Sequence, residues 1–190
     1  MELTRRRLAK LQQLRDYMNS AGFDVIFLTR RANFSWLTAG SVNHVNTATP
    51  DGVTTLAVTD DRLYLLANSI EAPRMLAEEI DSQSVELLTF PWHDETARKT
   101  AVMNLAQSRR AATDAPLYNL PMLPPDFDQL RYSLAAEDIR HYRKLGHQVS
   151  EIMENVGKNI KRGQTEQQVE AAMAQQAISA GMRPFVRLVA

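Results

Sequence analysis

Cysteine is absent from the sequence, which excludes disulfides, thiolate metal sites and a cysteine nucleophile at once. The absence fits a reducing compartment. Net charge is absent too: 22 Lys and Arg residues balance 22 Asp and Glu residues. A chain that neutralises nucleic-acid phosphates carries a basic excess or stripe, so no nucleic-acid partner is expected. The one basic cluster, Arg5-Arg6-Arg7, reads first as a solvated helix face, with anion binding as the alternative. No apolar run approaches the ~20 residues of a membrane span. Charged Glu2 and Arg5 to Arg7 stand where a signal peptide needs its apolar core, so a cytoplasmic protein without membrane contact is expected. Glycine is scarce, at 7 residues, while 44% of the chain is hydrophobic and 23% charged. That balance belongs to a packed globular chain rather than a disordered one.

The apolar pattern alternates between two periods. Leu3, Leu8, Leu11, Leu14 and Met18 fall near one face of a helix, with Thr4 placed to cap its start and Gly22 to end it. Val25-Ile26-Phe27-Leu28 is a continuous apolar run, as in a strand covered on both faces. Asn33 is placed to cap a short helix through Phe34, Trp36 and Leu37, closed by Gly40. A polar stretch from Ser41 to Gly52 leads into strands at 53–59 and 63–67, joined as a hairpin. Pro73 marks the first turn of a helix facing Leu76, Ala77 and Ile80 inward. Residues 85–90 read as a strand, Asp94 caps a helix to about Gln107, and 110–113 form a last short strand. Helices alternating with strands, one pair antiparallel, predict an α/β fold with a mixed β-sheet flanked by helices over residues 1–115.

Four prolines between Pro116 and Pro125 cannot continue a helix or central strand, so residues 116–132 are expected to form a Pro-rich linker. Beyond it the pattern is helical. Ser133 is placed to cap a helix with Ile139, Tyr142, Leu145, Val149, Ile152, Val156 and Ile160 as one stripe, ending at Lys161-Arg162-Gly163. Thr165 to Gln168 forms a T-x-x-Q capping box for a second helix that buries Val169, Ala172, Met173 and Ala180 and stops at Gly181. Pro184 onward reads as a strand. Two helices and a strand leave that stripe uncovered: either they fold back on the first domain, or 133–190 are the opening of a further domain, which is the expectation taken forward.

Chemistry is sparse. The histidines are His44, His93, His141 and His147, with no H-E-x-x-H among them. His141 and His147 are six apart on one helix and face different ways. The acidic pairs Asp60-Asp61, Glu78-Glu79 and Glu137-Asp138 are explained as turn or helix-end residues. No nucleophile elbow, P-loop or dinucleotide fingerprint occurs. No residue is therefore assigned to catalysis or to a metal. Trp36 and Trp92 read as packing residues. The polar loop Gly40 to Thr47 is the place to watch, because it follows a short helix and precedes a hairpin.

Three segments, Arg7-Leu8-Ala9-Lys10-Leu11, Gly22 to Thr29 and Asn33 to Gly40, resemble the start of the creatinase/prolidase family, which includes the Xaa-Pro aminopeptidases. Ser133 to Lys144 is similar to its "K-S-x-E-E-I-x-x-I-R-K" helix, and Arg162 to Glu166 with Val169 to its "P-G-x-T-E-x-x-V" turn. The resemblance implies a creatinase-type N-terminal α/β domain followed by a "pita-bread" catalytic domain, of which 133–190 would be the start. It also implies a homodimer, a proline-containing peptide or small amide substrate, and two divalent metal ions (Mn, Co or Zn). The metals would be held by two Asp, one His and two Glu, all beyond the positions matched here, so this chain carries no cofactor ligand. In such dimers the N-terminal domain lends residues to the partner's active site, and by position His44 and Asn46 are the candidates. The chain is thus expected to be the non-catalytic N-terminal portion of a metal-dependent Xaa-Pro peptidase, aiding dimerisation and shaping the substrate entrance. Arg162 stands where the family has proline and Arg187 falls in a normally apolar strand; both leave room for a metal-free binding or regulatory member instead.

Overall fold

In the computed structural model, which describes residues 2–185 and 189, the chain divides between Tyr132 and Ser133 into two units. The apolar run at Val25 becomes β1 (Val25–Arg30), buried from Val25 through Thr29. Its alternate side chains feed two separate cores. Ile26 and Leu28 meet Leu14 and Met18 of α1 (Glu2–Ala21), Phe34 and Leu37 of α2 (Arg31–Leu37) and Phe127. Val25 and Phe27 meet Val102 and Ala106 of α4 (Glu95–Ala106) together with Leu117. A strand apolar on both sides thus requires helices on both sides, as its sequence anticipated.

The sheet has five strands in the order β4 (Glu86–Phe90), β3 (Leu63–Asn68), β2 (Asp51–Val58), β1, β5 (Ala111–Thr113). Strands β2 and β3 form the expected hairpin, with Thr55 opposite Leu66 and Val58 opposite Leu63. Strand β1 pairs antiparallel with β2 and parallel with β5, and β3 pairs parallel with β4. The sheet is mixed and flanked by helices, the architecture expected for this half of the chain.

Local differences have physical causes. Helix α1 starts at Glu2, so Thr4 lies inside it and caps nothing. Its end is as expected: Gly22 has φ +77°, and Gly22 and Phe23 both donate to the Met18 carbonyl (2.8 and 2.9 Å). Helix α2 begins at Arg31, which puts Asn33 within the first turn, its side chain directed to Asp114 instead of to a cap. Pro73 sits in the first turn of α3 (Glu71–Arg74), where a missing N–H leaves nothing unpaired. The chain then widens into a π-turn at Met75–Glu79. Ala72 is buried ahead of that turn; Met75 and Ile80 are buried at its two ends, and Ala77 within it is exposed. Asp94 caps α4 as anticipated, accepting from the Ala97 amide at 2.9 Å.

Residues 116–132 belong to the first unit and are not a free linker. Proline cannot donate to a ladder, but its carbonyl can accept at a sheet edge. The Thr113 amide donates to the Pro121 carbonyl (2.9 Å) and Leu123 donates back to Thr113 (2.8 Å), so the proline stretch covers the outer edge of β5. Leu117 and Phe127 are buried.

In the second unit, α5 (Ala136–Lys158) packs on α6 (Glu166–Ser179). The cap residue is Ala135 and not Ser133; the Asp138 carboxylate accepts the Ala135 amide at 3.3 Å. Helix α5 stops at Lys158, before Gly163, which leaves Ile160 outside it. The T-x-x-Q box forms as read, Gln168 donating to Thr165 Oγ1 (3.3 Å) and Thr165 donating to Gln168 Oε1 (2.9 Å). Val156, Val169 and Ala174 are buried, whereas Ala180 is exposed. Much of the α5 stripe is open: Tyr142 is 63% exposed, and Leu145, Val149, Ile152 and Met173 line an apolar groove. The strand expected from Pro184 falls mainly on residues 186–188, outside the described residues.

Phe27 is fully buried between β1 and α4. Phe27→Ala is expected to lower the unfolding free energy of the first unit by about 3–5 kcal/mol; urea titration monitored by circular dichroism measures it, and a loss below about 1 kcal/mol would contradict this packing.

Candidate functional site

Strands β1, β3, β4 and β5 run one way and β2 runs against them. Their C-terminal ends and the start of β2 therefore share one end of the sheet, the end where open α/β sheets receive ligands. The loop leaving α2 enters β2 there, with Asp51 opposite Arg30.

The loop is pinned at several points. It leaves α2 through two residues of positive φ, Ala39 at +61° and Gly40 at +123°. Ser41 Oγ donates to the Glu79 carbonyl at 2.6 Å, and the Val42 amide donates to a Glu79 carboxylate oxygen at 2.7 Å. Asn43 is only 2% exposed and acts as a substitute strand partner for Thr54. Its Nδ2 donates to the Thr54 carbonyl at 2.9 Å, while its Oδ1 accepts from the Thr54 amide at 3.0 Å and the Thr54 hydroxyl at 2.9 Å. Gly52 permits that approach, since a Cβ there would stand 2.0 Å from Asn43 Nδ2. Further along, the Arg31 amide donates to the Pro50 carbonyl at 3.0 Å and its guanidinium to the Thr47 carbonyl at 3.3 Å.

Between these anchors the loop projects into solvent. His44 is half-buried, and Val45 to Ala48 are exposed. Asn46 closes a local turn, its Oδ1 accepting the Ala48 amide at 2.8 Å. The two residues singled out from the sequence thus stand two apart on one anchored loop. Sequence reading missed the anchors themselves, Asn43, Glu79 and Arg7. The pairing of Asn43 with a glycine nine positions later is the signal that could have found one of them.

Beneath the loop, Asp114 follows directly on β5 and is 6% exposed. Its carboxylate accepts from the Thr29 amide (2.7 Å), the Arg30 amide (3.1 and 3.2 Å) and Asn33 Nδ2 (2.8 Å). Arg30 Nε donates to the Asp114 carbonyl at 2.6 Å. This one side chain joins the ends of β1 and β5 to the first turn of α2. Burial pushes its carboxyl above the usual carboxylate range, against the Thr29, Asn33 and Arg30 donors and the Arg30 charge, which pull it down. Asn33 Oδ1 is buried without a hydrogen-bond partner among the described residues.

Among the described residues no three His, Asp or Glu side chains converge where a metal ion could be held. The described residues do not fit a metal centre. No helix among them is long and apolar enough to cross a membrane.

A family model described as the Creatinase/Prolidase N-terminal domain matches residues 10–123. Solved structures of similar fold include a Xaa-Pro dipeptidase from Bacillus anthracis (13% identity, TM-score 0.65), which covers 92% of this chain and 49% of that one. A dipeptidase from Mycobacterium ulcerans is similar at 18% identity and TM-score 0.67, over 93% of this chain and 50% of that one. A prolidase from Thermococcus sibiricus is similar at 14% identity and TM-score 0.69, over 95% and 50%. At these identities the likeness is one of fold. The chain spans about half the length of these structures. No curated protein matches it by sequence.

Asp114→Ala leaves buried N–H groups without an acceptor and is expected to cost about 2–5 kcal/mol, whereas Asp114→Asn, which keeps one oxygen, costs less. The raised carboxyl binds its proton more tightly in the folded state than in the unfolded one. Its contribution is then present below the unfolded pKa and lost as pH rises through the folded one. Wild type should therefore lose stability relative to Asp114→Asn as pH rises above the ordinary carboxylate range; urea unfolding across that range tests the sign, and a difference moving the other way would show that the donors outweigh burial.

Proposed function

Because the chain belongs to the creatinase/prolidase family through its N-terminal domain, we propose that it is the non-catalytic N-terminal portion of a metal-dependent Xaa-Pro peptidase. In this reading it supports a cytoplasmic homodimer and shapes the substrate entrance. Residues 133–190 open the pita-bread domain, and the remainder of that domain supplies the ligands for two divalent ions. The ions activate water for attack on the bond preceding proline.

The observation that carries this reading is the anchored loop at the ligand-facing end of the sheet, joined to a family match over most of the first unit. A loop fixed at both ends and exposed between them presents side chains at low conformational cost. His44 and Asn46 are its candidates for contact with a proline-containing peptide bound by the partner protomer. His44 offers an imidazole able to donate or accept, and Asn46 an amide whose nitrogen remains able to donate. The uncovered apolar stripe of α5 fits a segment that meets further elements of its own domain.

A second reading, a metal-free binding or regulatory member, is favoured by Arg162 where the family turn has proline. The two separate in one assay. The full-length protein is expected to hydrolyse a Xaa-Pro dipeptide and to lose that activity on chelation; a protein that binds such peptides without metal or turnover supports the second reading. His44→Ala is expected to lower kcat/KM about tenfold or more, equivalent to about 1.4 kcal/mol of transition-state binding. Unchanged kcat/KM across proline-containing substrates would remove His44 from the substrate's surroundings.

A further inference from the structure

Helix α3 does not continue in α-helical form. It widens at Met75–Glu79, where the Ile80 amide donates to the Met75 carbonyl five residues back at 2.8 Å. Such single wide turns are rare, rotate the following side chains to a different face, and gather at functional sites. The residue this turn delivers is Glu79.

Glu79 holds the loop by both backbone and side chain. One carboxylate oxygen accepts the Val42 amide at 2.7 Å, while the other lies 3.7 Å from Arg74 Nη1. Its carbonyl accepts Ser41 Oγ at 2.6 Å and Arg7 Nη2 at 3.0 Å. Arg7 extends the clamp to the end of α2, donating Nε to the Thr38 carbonyl at 2.6 Å and Nη2 to Ser41 Oγ at 2.9 Å. The segment fastened in this way contains Gly40 and, beside it, Ala39, whose positive φ an L-residue adopts reluctantly. An ion pair alone is too small a role for this carboxylate. The contact to Arg74 is the long one, and Arg74 already has a closer partner in Glu71 at 2.8 Å.

We infer that Glu79 is the positioning residue of the loop, setting where the chain leaves α2 and therefore where His44 and Asn46 stand. The placement follows from the bonds above; its consequence for substrate rests on the proposed function. Glu79 and Asn43 fasten adjoining residues from opposite sides, Val42 to the π-turn and position 43 to β2. His44 is the next residue along.

Hydrogen exchange on the full-length protein tests the placement. Glu79→Ala is expected to speed exchange across residues 41–46 about tenfold or more while β1 keeps its protection. Glu79→Gln, which retains an oxygen for the Val42 amide, should stay within about threefold of wild type. Unchanged exchange in Glu79→Ala, equal acceleration in β1, or a Gln variant as fast as the Ala variant would overturn the inference. On a Xaa-Pro dipeptide, Glu79→Ala should lower kcat/KM, and the double variant with His44→Ala should lose less than the two single losses combined. Additive losses would overturn its action through His44. A fully active His44→Ala variant would sink the proposed role of the loop, and the exchange pattern would still decide the positioning of Val42.

Discussion

A carboxylate taken out of water must recover its hydrogen bonds from the protein, or burying it becomes prohibitive. Asp114 does so by gathering donors from two elements at once, Thr29 and Arg30 at the end of β1 and Asn33 in α2, while its own carbonyl, where β5 stops, accepts Arg30 Nε. The main-chain bond from Asp114 to the Phe27 carbonyl is the last of the β1–β5 ladder, and the side chain extends it toward Thr29. The direction in which α2 leaves the sheet depends on this group. Everything that follows α2, including the loop into β2, inherits its position.

The loop is built on the same principle in a more exposed setting. Asn43 spends both ends of its amide on Thr54, and Gly52 yields the space for it. Glu79 and Arg7 close the other side. Side-chain groups stand in for absent strand partners throughout, which lets an irregular segment lie against the sheet without leaving Val42 or Thr54 unpaired. The order so produced is confined to the ends of the loop, and its tip is left to solvent. That division suits a segment whose work is to present side chains outward.

The second unit shows the opposite balance. Its helices are well terminated, by the Thr165 box and by Gly181 with φ +77°, but their apolar stripe is only partly covered. Capping is local and can be complete in a short segment, whereas covering a stripe needs further elements. Family membership and this uncovered stripe fit the proposed reading of these residues as the opening of a further domain.

Much of the fold could be read from the chain alone, because periodicity and capping are properties of neighbouring residues. The two-sided burial of Val25 to Leu28, the hairpin at Asp60-Asp61, the Asp94 cap and the stop at Gly22 all follow from spacing within a few positions. The loop carrying His44 and Asn46 was likewise visible as a polar interval. Pairings across long separations were not: Asn33 looked like a cap until Asp114, 81 residues later, claimed its amide. The prolines of 116–125 looked like a linker because their missing donors are a local fact, while their use as acceptors at the edge of β5 is a tertiary one. Glu79 reads as helix surface on an α-helical phase, whereas the folded chain widens that turn. The sequence by itself determined which segments form helices and strands and which faces they bury. Tertiary structure alone decided which buried polar groups meet, since a hydrogen bond between distant residues leaves no periodic trace in either segment.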